Sequence, residues 1–233
     1  MERFKIYHFD VLNSTQTEAK KRQYHSGDII SADIQTAGYG RRGRAWQAPL
    51  GNLYFTIVEN YTGVDQLSWV GYAVTLGLYD AIKPLLKDNA QLNVKWPNDL
   101  LINGQKLSGI LLEVEETELI IGIGMNITIT PATDQPVTSL NLHSIEPQHS
   151  KDVLQRFLAA YQRWFIIGSK GGFEGMRDTW LSRAAFIGET ITAKLADGNI
   201  LTGVFKDIDK NGALVLLTES GQYNVTSADI YLT

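Results

Sequence analysis

The segment KWPNDLLINGQKLSGILLE, Lys95 to Glu113, sets Lys95, Trp96, Pro97, Asn98 and Asp99 between two apolar runs. Asn103-Gly104 is a strong hairpin signal, and it leaves Lys106 just beyond the turn with its ammonium able to point into a cleft. The plainer reading is an exposed turn lysine, since most lysines are solvated. Gly109, inside the returning strand, marks close approach by a ligand or another backbone. A second segment runs from Gly38 to Trp46. Its glycines at 38, 40 and 43 expose backbone amides, and Arg41, Arg42 and Arg44 carry planar forks that grip phosphate oxygens in pairs. Alone, such a loop suits a flexible RNA contact or a solvated surface equally well. A third segment, GIGMNI from Gly122 to Ile127, interrupts a good strand with two glycines. They make room for a flat ring or a small ligand, or else form a β-bulge. The dinucleotide fingerprint needs a third glycine and a following helix, and no GxxxxGK[ST] occurs. The chemistry these residue types suit is the handling of anions, phosphate above all.

The elements that must position them read as follows. Residues 6 to 12 form a strand, Asn13-Ser14-Thr15 supplies helix caps, and 16 to 23 a helix. Strands are expected over 28–35 and 52–59, the latter rich in aromatic and β-branched residues, with a loop between them. Leu67, Val70, Val74, Leu78 and Ile82 recur at threes and fours, which predicts a helix over 67–86. Strand-like runs follow at 92–102, 107–115 and 118–127, joined by tight turns. Residues 131–149 read as a loop, and 150–165 as an amphipathic helix capped by Ser150. From Gly188 onward short strands alternate with Asp197-Gly198, Asn211-Gly212 and Ser220-Gly221, which suits a small SH3-like barrel. The boundary falls near Arg183 to Gly188.

The bulk numbers fit an ordinary globular protein: 233 residues, 44% hydrophobic and 20% charged. A net charge of −4 gives no sign of general nucleic-acid or anionic-membrane binding, so any basic patch is local. With no cysteine, disulfides, thiolate metal sites and a cysteine nucleophile are excluded. The N-terminus has no signal-like apolar core, and no apolar run is long enough to span a bilayer. The default location is cytoplasmic. His8, His25, His143 and His149 show no ligand spacing and read as structural or surface residues. Trp69, Trp164 and Trp180 lie on helix-like runs and read as core, whereas Trp46 and Trp96 sit where they can shape a ligand site.

In this order, the three segments resemble the catalytic domain of biotin protein ligases. Ser14-Thr15-Gln16 looks like that family's S-T-x motif, and Gln35 to Trp46 like its Gly/Arg-rich loop. Lys95 to Gly109 matches K-W-P-N-D-L…K-L-x-G, and Gly122 to Asn126 matches G-[IA]-G-x-N. GVFKDIDKNGAL, from Gly203 to Leu214, resembles the C-terminal barrel. The resemblance implies an α+β fold. A mixed β-sheet would carry helices, as in class II aminoacyl-tRNA synthetases and biotin synthetases, over residues 1–185, with an SH3-like β-barrel over 186–233. It implies that ATP and biotin are substrates with Mg²⁺, that biotinyl-5′-adenylate forms, and that biotin passes to a lysine of the carrier domain of a biotin-dependent carboxylase.

Carried over by position, Ser14, Thr15, Gln35, Gly38, Tyr39, Arg41, Lys106 and Gly109 would meet biotin. Arg41, Arg42, Arg44, Trp46, Asn98, Asn126 and Lys206 would meet ATP. Lys106, Arg41 and Asp99 would serve catalysis, and no metal ligand is assigned. Tyr39 stands where the family has its first loop arginine, so either the neighbouring arginines supply the charge or the phenol donates a neutral hydrogen bond. The family's N-terminal DNA-binding unit is not expected, because the motifs begin at Ser14. Relatives pair through the edge of the main sheet, which makes a homodimer the thing to look for. The loop 38–46 is expected to be mobile until ligand orders it as a lid. Two rivals remain. A lipoate or octanoate ligase shares the architecture but typically has a longer glycine-rich segment. A non-catalytic RNA-binding module fits the loop but not the acidic total or the Lys106, Asp99 and KWPN grouping.

Overall fold

A computed structural model describes residues 3–233. Seven strands make the larger sheet: β1 (Lys5–Leu12), β2 (Asp28–Gln35), β3 (Leu53–Asn60), β4 (Leu92–Lys95), β5 (Asp99–Ile102), β6 (Gln105–Glu115) and β7 (Glu118–Met125). Their spatial order is β1-β2-β3-β7-β6-β5-β4. Only β1 and β2 run parallel; the other neighbours are antiparallel. Both faces are covered, and the period of two along each strand decides what covers them. On β3 and β7, Leu53, Phe55, Ile57, Leu119, Ile121 and Ile123 join the main core. Val58 and Ile120 point the other way, into a small cluster with Ala19 and Tyr24. Burial on both faces explains why β3 reads as a continuous apolar run.

The main core lies between the sheet and two helices, α2 (Val64–Ile82) and α3 (Ser150–Gly171). They approach closely at Gly77, where a Cβ would sit 3.1 Å from the Tyr161 Cα. Trp69, Trp164 and Trp180 are all buried in this core, as their positions on helix-like runs predict. The opposite face carries the short helix α1 (Thr15–Ala19), capped by the Ser14 hydroxyl. The predicted helix over 16–23 stops at Ala19, since Lys20 to Gln23 offer no apolar stripe to bury. The N-cap of α3 is His149 without a side-chain cap; Ser150 is the first helical residue.

One predicted strand is two. Residues 92–102 split into β4 and β5, an antiparallel pair with Lys95 opposite Asp99. The reversal runs through a cis Trp96-Pro97 peptide. Trp96 is fully buried, its indole donating to the Tyr72 hydroxyl at 3.0 Å and the Gly212 carbonyl at 3.2 Å. The turn that presents Lys95, Asn98 and Asp99 is thus nailed to the core.

Following the short helix α4 (Arg177–Leu181), five antiparallel strands form the second sheet: β8 (Thr190–Leu195), β9 (Ile200–Ile208), β10 (Leu214–Thr218), β11 (Gly221–Val225) and β12 (Ala228–Leu232). Their order is β11-β10-β9-β8-β12, the small β unit expected of an SH3-like barrel. The 209–213 turn meets α2, where Tyr72 donates to the Gly212 carbonyl at 2.5 Å. Arg177 holds the Ile208 carbonyl at 2.8 Å and Asp207 at 2.5 Å.

Candidate active site

One cleft of about 310 Å³ opens over the β6–β7 face and reaches the second sheet. That size suits a drug-sized ligand. Its inner end is polar and tightly organised. The Gln35 carboxamide oxygen accepts from the Thr15 amide at 2.7 Å and its hydroxyl at 3.1 Å. Thr56 donates to the Thr15 oxygen at 2.9 Å, and Gln16 donates to the Ile120 carbonyl at 3.2 Å. Ser14, Thr15, Gln16 and Thr56 are all buried. A cluster of donors and acceptors whose rotamers are fixed this way recognises a polar ring with little further ordering.

The glycines of the third segment have a specific cause. A Cβ on Gly122 would lie 2.3 Å from the Gln16 Oε1, and one on Gly124 would lie 2.5 Å from Cε2 of Trp46. Gly109, paired with Gly124, lies under the same indole, and a Cβ built on it would sit 3.2 Å from the Trp46 Cζ3. The flat ring for which this strand leaves room is therefore the chain's own Trp46. Its buried indole N–H has no partner among the described residues, an arrangement that costs stability unless a ligand answers it.

Lys106 follows the Asn103-Gly104 turn, where both residues take positive φ. Its ammonium lies 2.8 Å from Asp99 Oδ1, 5.6 Å from the Trp46 ring centroid and about 3.2 Å from a Cβ built on Gly109. It is a cleft lysine, not a solvated turn residue. Asn98 holds the Ile110 carbonyl and accepts from Arg41 at 3.4 Å. Asn126 lines the cleft, but its amide donates to the Thr138 carbonyl at 3.0 Å and thereby fixes the loop after β7.

The Gly/Arg-rich loop is folded. Tyr39 bridges Ala45, the Gly40 amide donates to the Arg44 carbonyl at 2.8 Å, and Arg42 and Gly43 take positive φ at the tip. Tyr39 donates to Glu113 at 3.0 Å, with Lys20 on the other carboxylate oxygen at 3.1 Å. Burial raises its phenol above the ordinary value, so Tyr39 is a neutral donor. The loop's charge falls to the arginines. Arg41 reaches Ser227 at 2.7 Å, and Arg42 and Arg44 reach Asp229 at 3.4 and 3.0 Å.

Ser14, Thr15, Gln35, Tyr39, Arg41 and Arg44 thus line the same cleft as Trp46, Asn98, Asp99, Lys106, Gly109 and Asn126. Gly38 packs beneath it, 2.9 Å (from an added Cβ) to the Trp46 carbonyl oxygen. Arg42 reaches the rim through Asp229. Lys206 is exposed on β9 and is not brought to the cleft. Three further residues of the cleft, Gln16, Lys95 and Asp229, carry no role in the sequence reading. The first two adjoin assigned residues inside recognised motifs, a usable signal; Asp229 had none.

Lys95 is mostly buried at the cleft, with the Tyr231 ring 5.2 Å from its ammonium and no salt bridge among the described residues. Burial lowers its pKa, Asp99 opposes that, and Lys106 adds to it. A desolvated cation kept without a close partner destabilises the empty protein. Lys95→Met is expected to raise the melting temperature by a few degrees while slowing the reaction about tenfold. Thermal unfolding and rate measurements check this, and a lower melting temperature would mean that the cation is already compensated.

His8, Asp10 and Asp33 also approach one another on the exposed face of β1 and β2, outside this cleft. No helix of the described residues is long and apolar enough to cross a membrane.

Residues 8–128 match the biotin/lipoate A/B protein ligase family, and residues 186–233 match the biotin protein ligase C-terminal domain. A biotin–[acetyl-CoA-carboxylase] ligase of Paracoccus denitrificans is 35% identical over 220 residues, covering 87% of this chain and 89% of the relative. One of the same name from Mycobacterium tuberculosis is 29% identical over 211 residues, 88% of this chain and 78% of the relative. Among solved structures, the biotin protein ligase of Aquifex aeolicus in complex with biotin and ATP is similar with a TM-score of 0.85 and 25% identity. That similarity covers 98% of this chain and 99% of the other. With its cleft, both sheets and two matched segments in agreement, this chain belongs to the biotin protein ligase family.

Proposed function

We propose that this chain activates biotin with ATP and transfers it to a lysine of a carboxylase carrier domain, using residues 1–185 as the catalytic unit and 186–233 as its partner at the cleft. The observation that carries the reading is the convergence of Lys106, Lys95 and the arginine loop beside the fixed polar pocket of Thr15, Gln16 and Gln35. A carboxylate is a poor electrophile. In the first step a biotin carboxylate oxygen attacks the α-phosphorus of ATP, the bond to the bridging oxygen breaks, and pyrophosphate leaves. Two anions must meet, so the gain comes from cations already in place and from positioning. Lys106 and Arg41 fill that role, with Arg42 and Arg44 on the outer phosphates.

Mg²⁺ would enter with the nucleotide. A hard cation that keeps several waters needs only one or two carboxylates beside phosphates, and Asp99 or Asp134, both lining the cleft, would be the carboxylate to hold it. It would supply further charge neutralisation. In the second step the carrier amine attacks the acyl carbon as a free base, an amide bond forms, and AMP leaves. Asp99, close to Lys106, is the anion available to steer that amine and take its proton. Water must stay out while the mixed anhydride waits, and closure of the 38–46 loop over bound ligand would provide this.

The family's two chemistries are separated by the acid. We favour biotin because the inner end of the cleft is a hydrogen-bonding cluster suited to a polar ring, whereas a lipoyl or octanoyl tail offers it nothing. Location in the cytoplasm and a homodimer through the exposed edge strand β1 are parts of the same proposal. Incubation of a carboxylase carrier domain with this protein, ATP, Mg²⁺ and either biotin or lipoate tests it by mass spectrometry. Addition of one biotinyl group to one lysine is expected. Lipoylation without biotinylation would reverse the assignment.

A further inference from the structure

Asp229 is the one carboxylate of the second sheet that faces the arginine loop at the cleft. It sits on β12, with a side chain only 17% exposed, and its two oxygens receive Arg42 and Arg44 separately. Ser227, two residues earlier, receives Arg41. The charge of Asp229 also bears on Arg41 and on Lys95. A loop with three arginines in four residues repels itself and would splay in the empty site unless an anion gathers it. The partners of Asp229 are the side chains whose forks suit phosphate oxygens, and a carboxylate offers them the same kind of acceptor.

We propose that Asp229 is a positioning residue that stands in for a substrate phosphate, holding Arg42 and Arg44 in the empty site and yielding them when the triphosphate enters. This rests on the reading of the cleft as the nucleotide site. It adds that the second sheet sets the affinity for polyanions by competing for the arginines.

The test is calorimetric titration of the full chain with inorganic pyrophosphate, comparing the parent with Asp229→Asn, which keeps shape and removes charge. The variant is expected to bind roughly three- to tenfold more tightly, the size set by two partly exposed ion pairs that no longer compete. KM for ATP should fall by a similar factor with no rise in kcat, a split that a merely structural tie would not give. Asp178→Asn, which neutralises a fully solvated carboxylate, should change neither quantity. Equal or weaker pyrophosphate binding by Asp229→Asn, or an equal gain in Asp178→Asn, would overturn the proposal. A parent protein that binds no pyrophosphate would instead overturn the reading of the cleft. If Asp229→Asn does not fold, the ¹³C carboxyl resonance of Asp229 in the parent decides: it should shift as pyrophosphate is added, and a static signal rejects the displacement.

Discussion

Lys106→Ala should lose at least about a hundredfold in the rate of adenylate formation while unfolding close to the parent temperature. The loss follows from removing a cation aimed at developing charge in a partly enclosed site, which costs on the order of 3 kcal/mol. The small structural effect follows from where Lys106 stands. It is the second residue of β6, just after a tight turn; its side chain is 22% exposed, and its one ion pair among the described residues is with Asp99. Asp99 also lies within the field of Lys95 and Arg41, so its carboxylate keeps neighbouring positive charge when Lys106 is removed. Biotin-dependent pyrophosphate release and thermal unfolding, measured on the same preparation, check both halves. Release at the parent rate would mean that the cation serving the reaction is another one, with Lys95 the next in line.

Gly122→Val is expected to weaken biotin binding by about tenfold or more and to lower the melting temperature by roughly 2–10 °C. The first added carbon would fall 2.3 Å from Gln16 Oε1, and Gln16 cannot swing aside freely. It is buried, tied to the Ile120 carbonyl, and touched by Thr56. Displacing it drags on Thr15 and so on Gln35, which together form the polar inner end of the cleft. Overpacking of this kind commonly costs about 1–3 kcal/mol. Calorimetric titration with biotin measures the binding loss. Unchanged biotin affinity in a folded variant would move the ring-binding end of the cleft away from Gln16.

How much of this was legible depended on whether the cause was local. The Asn103-Gly104 turn, and with it the placement of Lys106, follows from residues that accept positive φ. The same holds for the loop tip, where Arg42 and Gly43 turn the chain. The helices over α2 and α3 were readable because their apolar residues recur at helical spacing. Where distant contacts decided the outcome, the reading failed. The division of 92–102 into two strands depends on Trp96 being buried against Tyr72 and Gly212, neither of which is near in sequence. The two glycines of β7 make room, and in this chain Gln16 and Trp46 fill it. Lys206, which the resemblance assigns to ATP, lies exposed on β9 outside the cleft, while Asp229, which reaches the arginines, belongs to no local pattern. A residue that acts across nearly 190 positions of chain leaves no periodic trace.

Exchange of labelled pyrophosphate into ATP isolates the first chemical step from the carrier and from product release. With well-folded protein and Mg²⁺, label should enter ATP only when biotin is added, and lipoate should not replace it. Exchange that is absent, or that proceeds equally without biotin, would contradict the view that this cleft joins a biotin carboxylate to the α-phosphate.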